Sequence, residues 1–233
     1  VSILNQTSTV SNPQGNNYKA IYVPNDSDIE GEANFEIQFS DFASNEGTSI
    51  TASTNNTKVI FDKTPPADFT VGLLTPTGGN QVDGMWNLTN TGMDIIIPVA
   101  NDTTLKNGTV QLYGKVGSNS FEVLGSVSTI LSNEINANKI ISVSGTLIEG
   151  LTGFSEGQRI YVKAVMSDRP GNITESSESI TQILIDETPA SITPISIFSN
   201  NSNTALAKVG DTVSVSFTTS ENLIDTTATI SGQ

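Results

Sequence analysis

A twelve-residue pattern that occurs twice constrains this chain more than any other feature. The first copy, IFDKTPPADFTV, covers residues 60–71, and the second, LIDETPASITPI, covers residues 184–195. In each copy an apolar run typical of a strand ends on an aspartate, Asp62 or Asp186, and a Thr-Pro pair then starts the next segment. Self-similarity at a fixed spacing indicates a chain built from successive similar units.

A second pair of matching segments fixes the size of the unit. SDFASN, residues 40–45, matches SDRPGN, residues 167–172. The two junction aspartates are 124 residues apart, which is the length of one β-sandwich domain with an insertion. We therefore predict a complete domain over residues 65–186, the C-terminal part of a domain over residues 1–64, and the N-terminal part of the next domain over residues 187–233.

Alternation of apolar and polar residues predicts strands along most of the chain. Clear examples are FEIQF at residues 35–39, RIYVKAVM at residues 159–166 and TVSVSF at residues 212–217. Turn-forming clusters such as KVGSNS, residues 115–120, separate these runs. Strong helix formers are sparse, and one helical turn is predicted, over residues 146–154. The predicted class is all-β, with antiparallel sheets in tandem sandwiches.

The two incomplete units are predicted to be complementary. TATISGQ, residues 227–233, and VSILNQTSTV, residues 1–10, would make a continuous two-strand passage if joined, and the joined domain would have 109 residues. We expect the sequence to be one period of a longer array. Half a sandwich exposes an apolar sheet face. Its completion is predicted either by covalent continuity with identical copies, which the gapless join favours, or by strands donated from a neighbouring subunit.

The net charge limits the kinds of partner that this chain can bind. The net charge is −14 with ten lysines and arginines, whereas binding to phosphate requires clustered positive charge, so no nucleic-acid partner is expected. Anionic membrane surfaces are disfavoured for the same reason. The apolar runs are only a few residues long, which predicts no direct membrane insertion.

Catalysis is disfavoured by the residue types. The chain has no histidine and no cysteine, which removes the commonest general base, thiolate metal sites and Ser-His or thiol nucleophiles. A glycosidase with paired carboxylates needs aromatic platforms for sugar, and the chain offers only Trp86 and four tyrosines. Trp86 is expected at the edge of a core rather than under a sugar. We predict a protein that is not an enzyme.

Several segments resemble a known group. VGDTVSVSFTTSE at residues 209–221, FEIQFSDFASNEGT at residues 35–48 and the two Asp-x-Thr-Pro junctions resemble the bacterial immunoglobulin-like (Big-type) tandem repeats of large surface proteins. The middle unit is similar to a variant of such repeats through ADFTVG, residues 67–72, GMWNLTNTG, residues 84–92, and IPVANDTTLKNGTVQLYGKVGS, residues 97–118. The resemblance implies immunoglobulin-like sandwiches and an extracellular, cell-surface location, as in adhesins, surface fibres and S-layer proteins.

Calcium is the predicted cofactor at the junctions. Calcium takes six to eight oxygen ligands. The two matched loops place carboxylate and amide oxygens four residues apart at a sheet edge, and each junction aspartate closes a strand where one domain passes to the next. In similar repeats, junction carboxylates often bind calcium and the ion stiffens the linker. The candidate ligands are the following: Asp41, Asn45, Asp62, Asp168, Asn172 and Asp186. The alternative, equally open from the sequence, is that the loop aspartates form Asx-turns and that the junction aspartates only terminate strands.

The predicted function is a non-enzymatic structural repeat unit of a cell-surface filament, tether or S-layer, with identical copies as partners and calcium-stiffened joints. The alternative is an adhesin stalk or binding module that recognises a glycan or a host or cell-surface protein. That alternative predicts exposed aromatic residues clustered at one end of a domain. A third candidate, an accessory module of a secreted enzyme, requires a catalytic domain elsewhere in the parent polypeptide.

Overall fold

The computed structural model describes residues 1–229, except the side chains of Pro13 and Gln14, and its regular structure is mostly β. The strands of residues 1–64 are short: β1 (Ser2–Ile3), β2 (Gln6–Thr7), β3 (Thr9–Gln14), β4 (Asn17–Ile21), β5 (Gly31–Glu32), β6 (Phe35–Glu36) and β7 (Ile60–Phe61). The predicted all-β class is therefore confirmed.

The middle region carries longer strands. They are β8 (Leu74–Thr77), β9 (Met85–Trp86), β10 (Gly92–Val99), β11 (Thr109–Val116), β12 (Glu122–Val123), β13 (Ser128–Thr129), β14 (Ala137–Ser144), β15 (Arg159–Ser167), β16 (Ile173–Glu175) and β17 (Ile183–Ile185). Between them lie helix α1 (Gly145–Glu149) and two 3-10 turns, Thr103–Leu105 and Ser132–Glu134. Two further strands follow, β18 (Ile192–Ser199) and β19 (Val213–Thr219).

Two sheets of the middle region face one another. One has the strand order β14-β10-β8, and the other has the order β12-β11-β15-β17-β9, with β13 also on β11 and β16 on β15. Neighbouring strands are antiparallel except that β17 and β9 are parallel. The chain also places Thr70 parallel to Ser177 in an isolated bridge, so its entry segment runs beside its exit segment. The result is a sandwich-like pair of sheets.

One core fills the space between these sheets. On β15 the predicted alternation holds, because Ile160, Val162, Ala164 and Met166 are all buried. Strand β10 contributes buried side chains from the opposite sheet, Ile95 among them. Burying an aliphatic side chain of this size contributes about 1.5–3 kcal/mol relative to leaving it exposed. The sandwich is therefore stabilised by side chains that alternate along strands of both sheets.

The regions on either side of the middle region contain smaller sheets, of two or three strands. Residues 1–64 form the sheet β2-β1-β6 and the pairs β3–β4 and β5–β7, whereas β18 and β19 form one hairpin. Apart from Leu4, the buried hydrophobic side chains of residues 1–229 lie between Val71 and Ile185. Most of the hydrophobic stabilisation is therefore in the middle region. The boundaries at residues 64/65 and 186/187 stay predictions.

Two local predictions are wrong in part. The predicted helical turn forms as α1, but it ends at Glu149 rather than at the predicted residue 154, and it buries Ile148 while Leu147 is half exposed. The helix is short because the chain turns at Gly150 to bring Leu151 into the core.

The strand predicted at residues 35–39 is regular only at Phe35–Glu36. It continues as single bridges, one of them between Ile37 and Ile50. The last predicted strand, residues 227–233, has no regular structure over residues 227–229 and otherwise lies outside the described residues.

Candidate functional site

The segment after Asp62 is held by a glutamate from earlier in the chain. Glu30 Oε1 accepts hydrogen bonds from the Lys63 backbone N–H at 2.8 Å and from the Thr64 hydroxyl at 2.7 Å. Asp62 Oδ1 accepts from the Thr64 backbone N–H at 3.0 Å. The Lys63 ammonium also donates to the Asp28 carbonyl oxygen at 2.9 Å. A charged acceptor thus fixes the backbone just before the prolines.

The second junction is held in the same way. Glu156 Oε2 accepts from the Glu187 backbone N–H at 2.9 Å and from the Thr188 hydroxyl at 3.1 Å. In both junctions the clamping glutamate is followed by a glycine with positive φ, 127° at Gly31 and 76° at Gly157, a conformation that glycine adopts without strain. We call this arrangement the glutamate clamp. It makes the two junctions equivalent in these two hydrogen bonds as well as in sequence.

Sequence reasoning missed the glutamate clamp although a signal for it exists. The dipeptide Glu-Gly precedes the Ser-Asp pair of the matched loops in both copies, starting ten residues before Ser40 and eleven residues before Ser167. Because the two spacings differ by one residue, aligning the two copies without a gap does not place the two glutamates opposite each other. A search that allowed one insertion would have found it.

The first clamp is expected to weaken in acid. The Thr64 hydroxyl, followed by the Lys63 backbone N–H, lowers the pKa of Glu30 from its ordinary value of 4.5. Because the pKa of Glu30 is lower in the folded state, its ionised carboxylate stabilises the folded clamp above pH 4.5. This stabilisation is lost as the pH falls through the folded-state pKa. We expect the protection of the Lys63 amide against hydrogen exchange, measured by NMR, to be constant above pH 4.5 and to fall as the pH is lowered below that value.

The control for this prediction is Glu30→Gln, which keeps an acceptor oxygen but does not titrate. Its Lys63 amide should show no such pH-dependent loss, after correction for the intrinsic exchange rate. Equal pH profiles in the two proteins would contradict an ionised clamp.

The loop at Asp41 closes on its own aspartate. Asp41 Oδ1 accepts from the backbone N–H groups of Ala43 at 2.8 Å and Asn45 at 2.9 Å. Asp41 Oδ2 accepts from Asn45 Nδ2 at 2.7 Å. These donors, the Asn45 side chain first, lower the pKa of Asp41. This is the Asx-turn arrangement of the alternative prediction.

The loop at Asp168 also closes on its own aspartate, but inside the protein and with its first backbone donor one residue further along. Asp168 Oδ1 accepts from the Gly171 and Asn172 backbone N–H groups at 2.8 and 2.7 Å, and Asp168 Oδ2 accepts from Asn172 Nδ2 at 2.8 Å. Asp168 is 3% exposed, whereas Asp41 lies at the surface. Asn172 Nδ2 also donates to the Asp62 carbonyl oxygen at 3.2 Å. The buried loop therefore contacts the preceding junction.

Of the predicted calcium ligands, the structure thus brings Asp62, Asp168 and Asn172 together. Asp186 lies at the other junction, where its backbone N–H donates to the Trp86 carbonyl oxygen at 2.8 Å. The loop carboxylates already accept N–H donors. Within residues 1–229 no three acidic side chains are grouped so that they could hold a metal ion. The loops as they stand do not fit calcium, and calcium stays a prediction. Among the described residues, Asp62 Oδ2 is the one buried side-chain oxygen or nitrogen atom that has no hydrogen-bond partner.

Trp86 is a core residue. Its side chain is fully buried, and its ring lies edge-on to Phe154 with 6.4 Å between the centroids. Trp86 Nε1 donates to Glu187 Oε1 at 3.3 Å, so the indole joins the core to the second junction. A buried ring cannot stack on a sugar, which removes Trp86 as a binding platform.

A half-buried cluster of aromatic rings and lysines lies on β11, β15 and the segment before β12. Lys115 Nζ lies 4.6 Å from the Phe121 ring centroid and 4.9 Å from that of Tyr161. Lys163 Nζ lies 4.7 Å from the Phe121 centroid and 5.8 Å from that of Tyr113. Each lysine also forms a salt bridge with a glutamate. We call these five residues the aromatic-lysine patch.

Comparison with protein-family models, curated proteins and solved structures gives no match for this chain. No helix among the described residues is long and apolar enough to cross a membrane.

Proposed function

We propose that this protein is a non-enzymatic structural repeat unit of an extracellular filament, tether or surface layer, made of tandem immunoglobulin-like sandwiches whose partners are identical copies. The observation that carries the proposal is the glutamate clamp, present with the same two donor positions at both junctions. A reproduced junction is what a regular array requires, because each joint then sets the same angle between successive units.

The proposed mechanism is mechanical. Pro65, Pro66 and Pro189 fix φ directly after the clamped residues, which limits bending at the joint. A stiff linker loses little conformational entropy when the array is extended. The resemblance to bacterial immunoglobulin-like repeats supports the extracellular location.

The location is tested on intact cells of the producing organism. Antibodies raised against residues 65–186 should label the outer surface, and immunogold electron microscopy should show the label at a regular spacing along a filament or layer. Label that appears only after the cells are permeabilised would overturn the proposal.

Calcium at the first junction is tested separately through Asp62. If an ion binds the buried Oδ2, millimolar calcium should raise the melting temperature and chelation should reverse the rise. Asp62→Asn should abolish that response, because the amide replaces the oxygen that has no donor. A melting temperature that does not respond to calcium in the wild type would eliminate the metal. Asp62→Asn should then be neutral or stabilising, since it removes a buried acceptor atom that has no donor.

The aromatic-lysine patch favours a second candidate, a binding module for a glycan. Three rings and two cations on one sheet offer stacking and hydrogen bonds to sugar. Tyr161→Ala should abolish binding to any glycan that the protein captures on an array. Tyr18→Ala, which removes an exposed tyrosine of β4, is the matched control. Binding that survives Tyr161→Ala would exclude the patch.

A further inference from the structure

Apolar side chains that the repeat predicts to be buried are exposed on β18. In the middle region, Val71 and Leu74 enter the core and are 0% and 2% exposed. Their counterparts in the second copy of the repeat are Ile195 and Phe198, which are 65% and 44% exposed. Hairpin β18–β19 pairs with no other strand of the described chain. On the apolar face of this hairpin, Ile195, Ile197 and Phe217 are all exposed, by 65%, 66% and 38%.

The complementary positions are exposed in the N-terminal region. Val59 is the counterpart of Ile183, yet Val59 is 69% exposed and Ile183 is fully buried. Val59 lines an open groove of about 660 Å³ together with Phe35, Phe61 and other residues, half of them apolar. We call this the N-terminal groove. It lies where the middle region has a filled core.

The middle region shows which segment fills such a space. Its entry segment lies parallel to the segment after β16, where Ser177 N–H donates to the Phe69 carbonyl oxygen and Ile180 N–H to that of Val71, both at 3.1 Å. Val71, on this entry segment, is part of the core. The counterpart of the entry segment is the start of β18.

The segment that receives the entry segment also has a counterpart in the N-terminal region. Ile50 N–H donates to the Ile37 carbonyl oxygen at 3.0 Å, as Ser176 N–H does to that of Ala164 at 2.8 Å. The chain after Ile50 therefore occupies the position of the chain after Ser176. No strand of residues 1–229 lies along its outer edge.

We propose that the N-terminal groove binds β18 of a second copy of this chain. Ile195 of the second copy enters the groove beside Val59, with Ile197 on the same face of the strand, and β18 runs parallel to the chain after Ile50. The internal interface of the middle region supports this occupant, because the same repeat positions already meet there. The inference rests on the proposed array and names the surfaces that join its copies.

One hydrogen bond follows from the same correspondence. Asn172 Nδ2 donates both to Asp168 and to the carbonyl oxygen of junction residue Asp62. Asn45 Nδ2 donates to Asp41, and no carbonyl acceptor for its second hydrogen is present in the described part of the chain. In the complex, Asn45 donates to the Asp186 carbonyl oxygen of the second copy.

The test is self-association of the full 233-residue chain, followed by analytical ultracentrifugation over a wide concentration range. Wild type should form open head-to-tail oligomers. Ile195→Glu blocks the hairpin and Val59→Glu blocks the groove, and each should weaken association about 100-fold or more, because each places a charge in an apolar contact. Ile140→Glu, an equally exposed position on β14, should leave association unchanged.

The decisive measurement mixes the two blocked variants. Each keeps one intact surface, so the mixture should form a 1:1 dimer that grows no further. The melting transition of each variant reports whether the middle region is folded. A mixture that stays monomeric, or single variants that still polymerise, would overturn the inference. Surface labelling of cells would be unaffected by that result, so the two proposals fail separately.

Discussion

Trp86→Ala is expected to reduce the free energy of unfolding by about 3–5 kcal/mol. The indole is fully buried and packs edge-on against Phe154, so truncation leaves a cavity between the sheets. The substitution also removes the donor that reaches Glu187. Since marginal stability is about 5–15 kcal/mol for a domain, a loss of this size brings the middle region close to unfolding at ambient temperature.

Urea denaturation followed by far-ultraviolet circular dichroism measures this loss, because the variant has no tryptophan left to report by fluorescence. Leu88→Ala is the control, since Leu88 lies two residues away and is 68% exposed. Its unfolding midpoint should match that of the wild type. A Trp86→Ala midpoint equal to that of Leu88→Ala would contradict the described core.

Asp168→Ala should cost about 1.5–3 kcal/mol, the range for hydrogen bonds to a buried charged acceptor. The substitution leaves two backbone N–H groups and the Asn172 amide without their acceptor inside the protein. The displaced Asn172 should also lose its contact with the Asp62 carbonyl oxygen. Faster hydrogen exchange at Gly171 and at the first junction would report both effects.

Asp41→Ala is the matched control because Asp41 also closes its loop with two backbone donors and an asparagine side chain, but at the surface. Water can replace the lost acceptor there, so the global unfolding midpoint should not change. Similar losses in the two variants would indicate that burial of Asp168 is unimportant. No loss in either would indicate that neither loop contributes to folding.

The β class and the core strands could be predicted because alternation decides them locally. On β15 every second side chain is apolar, and the structure buries each of them. The matched loops were also visible, because an aspartate and an asparagine four residues apart can close a turn whatever surrounds them. What the sequence left open was whether the loop oxygens receive N–H donors or calcium.

Long-range contacts were not predictable in this way. The glutamate clamp joins residues far apart in the chain, and the one-residue offset hides its repetition. The segment after Phe35 shows the other limit, because alternation alone does not fix how regular a strand is. The alternating residues 212–217 lie mostly in regular strand β19, whereas the alternating pattern after Phe35 yields single bridges.

The parallel pairing of the entry and exit segments has a consequence under load. Tension applied at Pro65 and Asp186 pulls the segment of Thr70 and the segment of Ser177 in opposite directions along their common axis. Every hydrogen bond between them is then sheared at once, whereas an antiparallel hairpin pulled at its open end breaks one bond at a time. The middle unit should therefore resist force through its first and last segments, and give way only when both slide together.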